Sequence, residues 1–347
     1  PPAGCYPVLT GTIGVGDKPH GVALKDNGRR AYVGNHADNS LSVLNTVTFG
    51  PVTTKAIGNG PNGAAYNPNN NRGYIANRNS NTVSAVRLSD YDIKTINVGS
   101  QPNGVAVNEV TNRIYVANFN DGTVSKIRGS DNAVVKTIAV GSQPSMIAVN
   151  PNTNKAYVSL HGDGRVAVID GAGNVKSVDI HSSGPYGIAI DTHRNQVYVA
   201  TIETSRIAVI DGSDDSFEAW VEIKHLNSGI PVPLRMIAVN PLIGTSGHIF
   251  ATTAGSDGGA DKVLMFPKGW DEGFARPYAL DLDEPREGIA FDPNTFRVYV
   301  TSRADDLLAV YQDGEPTCAG NLESLDGYQL KVCVVAKDGS CSEVFYR

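Results

Sequence analysis

The chain has 347 residues, is 41% hydrophobic and 18% charged, and carries a formal net charge of -6. No basic run stands out, which argues against nucleic acid or an anionic membrane surface as partner. No apolar stretch approaches the ~20 residues that span a bilayer, and although such a length usually means more than one domain, an internal repeat overrides that expectation.

The first run, Val8–Val15, is β-rich but has no repeat unit of its own. A Pro-x-(Gly/Met)-(Val/Ile/Ala)-Ala segment then recurs at Pro19, Pro61, Pro102, Pro144 and Pro185, and with one extra residue after the Pro at Pro233 and Pro285. Its Ala residues (Ala23, Ala65, Ala106, Ala148, Ala189, Ala238 and Ala290) are spaced by 42, 41, 42, 41, 49 and 52 residues. About 40–45 residues is the period of a four-stranded propeller blade. The fourth unit shows the plan. Val135–Val140 is a β-rich run, Ser145–Val149 a short apolar strand, Lys155–Ser159 a second strand and Arg165–Asp170 a third. Asn150–Asn154 and Gly162–Gly164 are the turns between them. Nothing has helical period, and 37 Gly with 19 Pro suit a chain of many turns.

The seventh unit supplies only Glu287–Asp292, Arg297–Ser302 and Leu307–Gln312. The expectation is that Val8–Val15 completes it, which would remove an exposed sheet edge. The fold class is therefore all-β: a seven-bladed β-propeller of four-stranded antiparallel blades, with the last blade closed by the N-terminal strand. It would be a single closed unit over residues 1–318 and a monomer. Residues 319–347 lie outside the repeats as a hairpin tail, Tyr328–Val335 with Cys341–Tyr346, packed on the propeller.

All cysteines sit at the chain ends: Cys5, Cys318, Cys333 and Cys341. Two disulfides, Cys5–Cys318 at the seam and Cys333–Cys341 within the tail, would suit a secreted or periplasmic protein. Four buried thiols are the alternative. The chain begins at Pro1 rather than Met, as after removal of a leader or at a cloning boundary. No Asn-x-Ser/Thr acceptor occurs.

Within each unit a Tyr-Val-x-Asn-like signature recurs: Tyr32-Val33-Gly34-Asn35, Tyr74-Ile75-Ala76-Asn77, Tyr115-Val116-Ala117-Asn118, Tyr157-Val158-Ser159-Leu160, Tyr198-Val199-Ala200-Thr201 and Tyr299-Val300-Thr301-Ser302. The sixth copy, Ile249–Thr253, is degenerate. On these residues, over roughly 10–315, the chain resembles the YVTN-repeat β-propeller family. The resemblance implies the fold. For activity it implies only a range: lactonases, lyases, lactonising enzymes, metal-dependent hydrolases and proteins of no known activity.

In such a blade the start of the inner strand and the turn after the second strand reach the same face. The inner-strand ring on that face reads His20, Asn62, Asn103, Ser145, Tyr186, Arg235 and Glu287. The residues after the Tyr-Val-x-x segments include His36, Arg78, Phe119, His161 and Arg303. His181 and His225 map to this face by register, whereas His193 and His248 map to the other. Asymmetric polar groups at a channel mouth are what a binding or catalytic site requires. Asn62 and Asn103 also suit tight turns, and polar channels can simply be wet.

His20, Glu287, His36 and Tyr186 are the candidate catalytic residues. His20 with Glu287 would form an oriented general base, and Tyr186 could carry a proton across the channel. Arg235, Arg303, Arg78, Asn62, Asn103, Phe119 and His161 are the candidate substrate-binding residues. The arginines suit a carboxylate or a developing oxyanion. The only cofactor this set suggests is a divalent metal ion on His20 and Glu287. Lactone hydrolysis, lyase or isomerase chemistry on a polar or carboxylated small molecule is the leading expectation. A non-catalytic extracellular binding or scaffold propeller is the rival, and an accessory role in a secondary-metabolite or virulence pathway is a third. No Gly-x-Ser-x-Gly elbow, Walker loop or zinc spacing occurs. Asp257–Asp261 lacks the alternating ligands of a calcium loop. The long steps around blade six, with Phe266, Trp270 and Phe274, suit insertions that build a wall or an apolar patch.

Overall fold

In the computed structural model of the chain, residues 8–25, 28–225, 232–240, 248–253, 263–267, 278–280, 286–312, 328–335 and 341–346 are described. Seven antiparallel sheets form the blades of a β-propeller, and no helix occurs among the described residues. Blade one runs Pro19–Lys25, Arg30–Asn35, Ser40–Asn45 and Gly50–Ala56. Blade four runs Pro144–Asn150, Lys155–Leu160, Arg165–Ile169 and Val175–Asp179.

The burial pattern explains each strand's composition. A second strand is covered on both faces by the neighbouring blades, so it is continuously apolar. Ala31, Tyr32 and Val33 are all buried, as are Tyr157 and Val158. An outer strand faces water, and Ala133–Ala139 is largely exposed except for Ile138. Inner strands meet at the channel, where backbones approach closely. A Cβ on Gly21 would lie 2.1 Å from the Asn62 carbonyl oxygen, and one on Gly288 would lie 2.0 Å from that of His20. Glycine is required there by lack of space rather than by φ.

The signature Tyr ties blade to blade. Tyr74 donates from its hydroxyl to Asn132 Oδ1, Tyr157 to Asp215 Oδ1 and Tyr299 to the Gly28 carbonyl. Asp215 also takes an ion pair from Lys155 at 2.8 Å. On the face away from the mouth, Asn67, Asn108 and Asn150 each donate to the next blade's Asn112, Asn154 and Asn195. This ladder gives the Asn-rich turns a structural role.

The N-terminal strand Val8–Gly14 pairs antiparallel with Leu307–Gln312 and completes blade seven, with a bulge between Leu9 and Gly11. Ile13 is buried against a cluster holding Val22, Val33, Leu308 and Val310, so the closing strand joins both sides of the seam. The tail hairpin forms with the expected ends and adds to blade five: Ala219–His225 pairs with Tyr328–Val334, which makes that sheet six-stranded. Its register sets Cys333 opposite Glu343 and Cys341 opposite Val335, one diagonal step apart. The cysteine side chains, the Asp257–Asp261 stretch and the side chains of Phe266, Trp270 and Phe274 lie outside the described residues.

Candidate functional site

The turn before each repeat Pro builds the mouth. Lys18, Gln101 and Gln143 adopt positive φ near 50°, while glycine serves at Gly60 and Gly184 with φ 64°. This left-handed geometry aims each carbonyl at the first residue beyond the second strand. Lys18 O accepts from the His36 amide, Gly60 O from Arg78, Gln101 O from Phe119 and Gln143 O from His161. The mouth side chains are thus held by their backbones. Asn35, Asn77 and Asn118, beneath them, donate to hydroxyls of their own blades, as Asn35 does to Ser40 and Ser42. They are internal supports.

A hydroxyl in the second strand fixes two ring residues further. Thr301 Oγ1 accepts from Gly288 N–H and donates to the His20 carbonyl, both at 2.8 Å. Ser159 Oγ accepts from Met146 N–H and donates to the Tyr186 carbonyl. Blades one, two, three and five carry Gly34, Ala76, Ala117 and Ala200 at this position and have no such bridge. Sequence reasoning missed these two positioning residues. The signal was present, since the third signature letter is hydroxylic in the blade preceding each of the two ring residues.

The ring residues gather at a cavity of about 140 Å³. His20, Asn62, Tyr186 and Glu287 line its polar end, and Val22, Val105, Ile147, Ile188, Ile237 and Ile289 line the wall below. Glu287 is the centre of charge. Its side chain is only 4% exposed, with Arg235 Nη2 3.0 Å from Oε2 and Arg303 Nη1 3.1 Å from Oε1. His20 Nδ1 lies 3.7 Å from Oε2, beyond hydrogen-bond length. The rings of His20 and His36 are 5.0 Å apart. His36 Nδ1 is 3.1 Å from the Pro61 carbonyl and therefore carries a hydrogen.

His20 is held in its neutral form, with its pKa lowered from 6.5 to about 3. Burial is the main cause, and the charges of His36, Arg235, Arg303 and Arg78 add to it. Proximity to Glu287 does not reverse this, because both carboxylate oxygens are already shared with guanidiniums. Arg78, Arg235 and Arg303 together act against protonation of His20, while Asp38, Asp121, Asp163 and Asp306 cap the surrounding turns.

The remaining candidates fall into two groups. Arg78 lies over the Phe119 ring at 4.7 Å and donates to Gln101. Across the channel, Tyr186 is flanked by Arg235 at 5.5 Å and by the His161 ring at 6.3 Å, and Asn103 Nδ2 reaches its hydroxyl at 3.5 Å. His181 does not join them: it stands edge-on to Phe217 near Asp179. The His225 side chain lies outside the described residues.

A divalent metal does not fit the His20–Glu287 pair. It would have to displace the guanidiniums from both Glu287 oxygens while sitting in a positive field. Among the described residues, no group of three or more His, Cys, Asp or Glu side chains is placed to hold a metal ion.

The described fold and mouth define a seven-bladed propeller with a polar opening at one end of its channel, where Arg235 and Arg303 converge on Glu287. No family model matches the chain, and no curated protein matches it. Among solved structures it is similar to virginiamycin B lyase from Staphylococcus aureus, with 15% identity and a TM-score of 0.70 over 87% of this chain and 98% of that one. It is similar to a streptogramin B lyase structure, with 13% identity and a TM-score of 0.70 over 88% and 97%. It is equally similar to the RRP9 WD40 repeats, with 10% identity and a TM-score of 0.71 over 89% and 99%. Likeness at these identities is a likeness of fold.

Proposed function

We propose that the mouth binds a small carboxylated molecule and acts on it by non-redox chemistry of the lactone-hydrolysis, lyase or isomerase type. The observation that carries this reading is the convergence of Arg235 and Arg303 on buried Glu287 beside a neutral His20. Glu287 serves here as the anchor that orients two guanidiniums, whose other N–H groups point a carboxylate or an oxyanion toward His20. A buried neutral imidazole has a free lone pair and can take a hydrogen bond or a proton from the bound molecule. His36 stands beside it and Tyr186 across the channel as further proton carriers. Asn62, Asn103, Arg78, Phe119 and His161 form the rest of the binding surface. Membership of the YVTN-repeat family, supported by the recurring Tyr-Val-x-Asn signature, is part of the proposal.

A thermal-shift screen of lactones, small carboxylates and the corresponding amides tests it, with product analysis of each stabilising compound. A ligand that binds only the native state raises the melting temperature. Carboxylates or lactones should stabilise the protein and amides should not, and Arg235→Met with Arg303→Met should abolish the shift. Equal indifference to all three classes would sink the reading.

The rival is a non-catalytic binding or scaffold propeller. The small cavity favours it, since about 140 Å³ is below the ~300–1,000 Å³ of ordinary ligand pockets. Under that reading His20→Ala with Glu287→Ala leaves partner binding intact. Under either reading we propose an oxidised, secreted or periplasmic monomer with its cysteines paired, motivated by their placement at the chain ends. Four reactive thiols in the unreduced, unfolded protein would refute the pairing.

A further inference from the structure

Beyond Arg235 from Glu287, three polar atoms around Tyr186 lack partners. Asn103 is 0% exposed, and its Oδ1 has no hydrogen bond. His161 Nδ1 and Arg235 Nε are likewise buried without partners. Leaving such buried groups unmet is destabilising, so their grouping around Tyr186 calls for an explanation. Asn103 and Tyr186 belong to blades three and five, and the ring residue between them is the small Ser145. That gap lets the amide reach across to the phenol.

The donors and acceptors have a definite pattern. Tyr186 accepts from Asn103 Nδ2, so its own O–H is free to donate into the mouth. Asn103 Oδ1 is free to accept. A ligand group satisfying both must donate and accept at once, and a hydroxyl does this with one atom. Arg235 connects the two ends of the site: its Nη2 is on Glu287 while its guanidinium lies over the Tyr186 ring. The carboxylate end and this second polar end are therefore one ring residue apart.

We infer that the site takes a hydroxy-carboxylate, with its carboxylate at Arg235 and Arg303 and its hydroxyl at Asn103, Tyr186 and His161. This rests on the carboxylate reading above and adds the second functional group. A hydroxyl and a carboxylate on one chain are the two groups that ring opening of a lactone releases. The assignment therefore narrows the substrate or product to an open-chain hydroxy acid.

Isothermal titration of the intact protein with butanoate, 3-hydroxybutanoate and 4-hydroxybutanoate tests the inference. At least one hydroxy acid should bind tenfold or more tightly than butanoate. Asn103→Leu and Tyr186→Phe should each reduce that hydroxy acid to the affinity of butanoate. Tyr186→Phe keeps the ring and carries the test if the Asn103 variant fails to fold. Equal binding of all three compounds overturns the hydroxyl assignment and leaves the carboxylate reading in place. Binding of none of them overturns both.

Discussion

Replacing Glu287 by Gln should cost about 2–4 kcal/mol of stability at neutral pH and low salt. Breaking a buried ion pair by removing one partner typically costs about 3–5 kcal/mol, because the other charge is left uncompensated. Here two guanidiniums lose their shared counter-ion while Arg78 remains nearby. The Arg303 side chain is 39% exposed, so solvent screens part of the loss and the expected cost falls about 1 kcal/mol below that range. The same change turns the mouth into a stronger anion site. Sulfate or butanoate should therefore restore more stability to Glu287→Gln than it adds to the unaltered protein. Urea denaturation with and without each anion reads both effects. A variant within about 0.5 kcal/mol of the parent, the range of ordinary surface changes, would show that Glu287 is not the electrostatic anchor.

The second large effect is the acid sensitivity that His20 confers. Its folded pKa is lowered to about 3, whereas the unfolded imidazole titrates near 6.5. As pH falls, the unfolded chain takes up this proton first. The stability associated with neutral His20 is complete above about pH 6.5 and is lost progressively as pH drops toward 3. At about 1.36 kcal/mol per pKa unit the full loss is on the order of 5 kcal/mol. His20→Gln, neutral at every pH, should lack this part of the acid limb. The measurement is the difference between the two stability profiles from pH 7 to pH 4, so that carboxylates titrating in both proteins cancel. Parallel profiles would mean that His20 is not held neutral by the fold.

Much of this protein is legible in its sequence because the repeat encodes it. The Pro-to-Ala spacing sets the blades. The missing fourth strand of the last unit points to the N-terminal run, and Val8–Gly14 does fill that place. The inner ring was legible for the same reason, since register alone brings His20, Tyr186, Arg235 and Glu287 to one mouth. Side-chain direction was not. Register makes His20 and Glu287 neighbours, but the carboxylate turns to Arg235 and Arg303, whose charges attract it more strongly than a neutral imidazole does. His181 shares the face by register yet packs on Phe217, because it sits at the outer strand's end, away from the channel. The tail is legible as a hairpin. Its docking on blade five depends on pairing between Ala219–His225 and a segment over a hundred residues away, which no local pattern specifies.

The most direct test of the account is the nitrogen resonance of the His20 imidazole, followed by NMR in the intact protein. A neutral imidazole is expected at pH 4.5 in the free protein. At pH 6 a saturable movement of that resonance is expected on adding butanoate, lost in Arg235→Met with Arg303→Met. An imidazolium signal at pH 4.5, or a resonance indifferent to butanoate at pH 6, would contradict the claim that this mouth is a carboxylate site built around a neutral histidine.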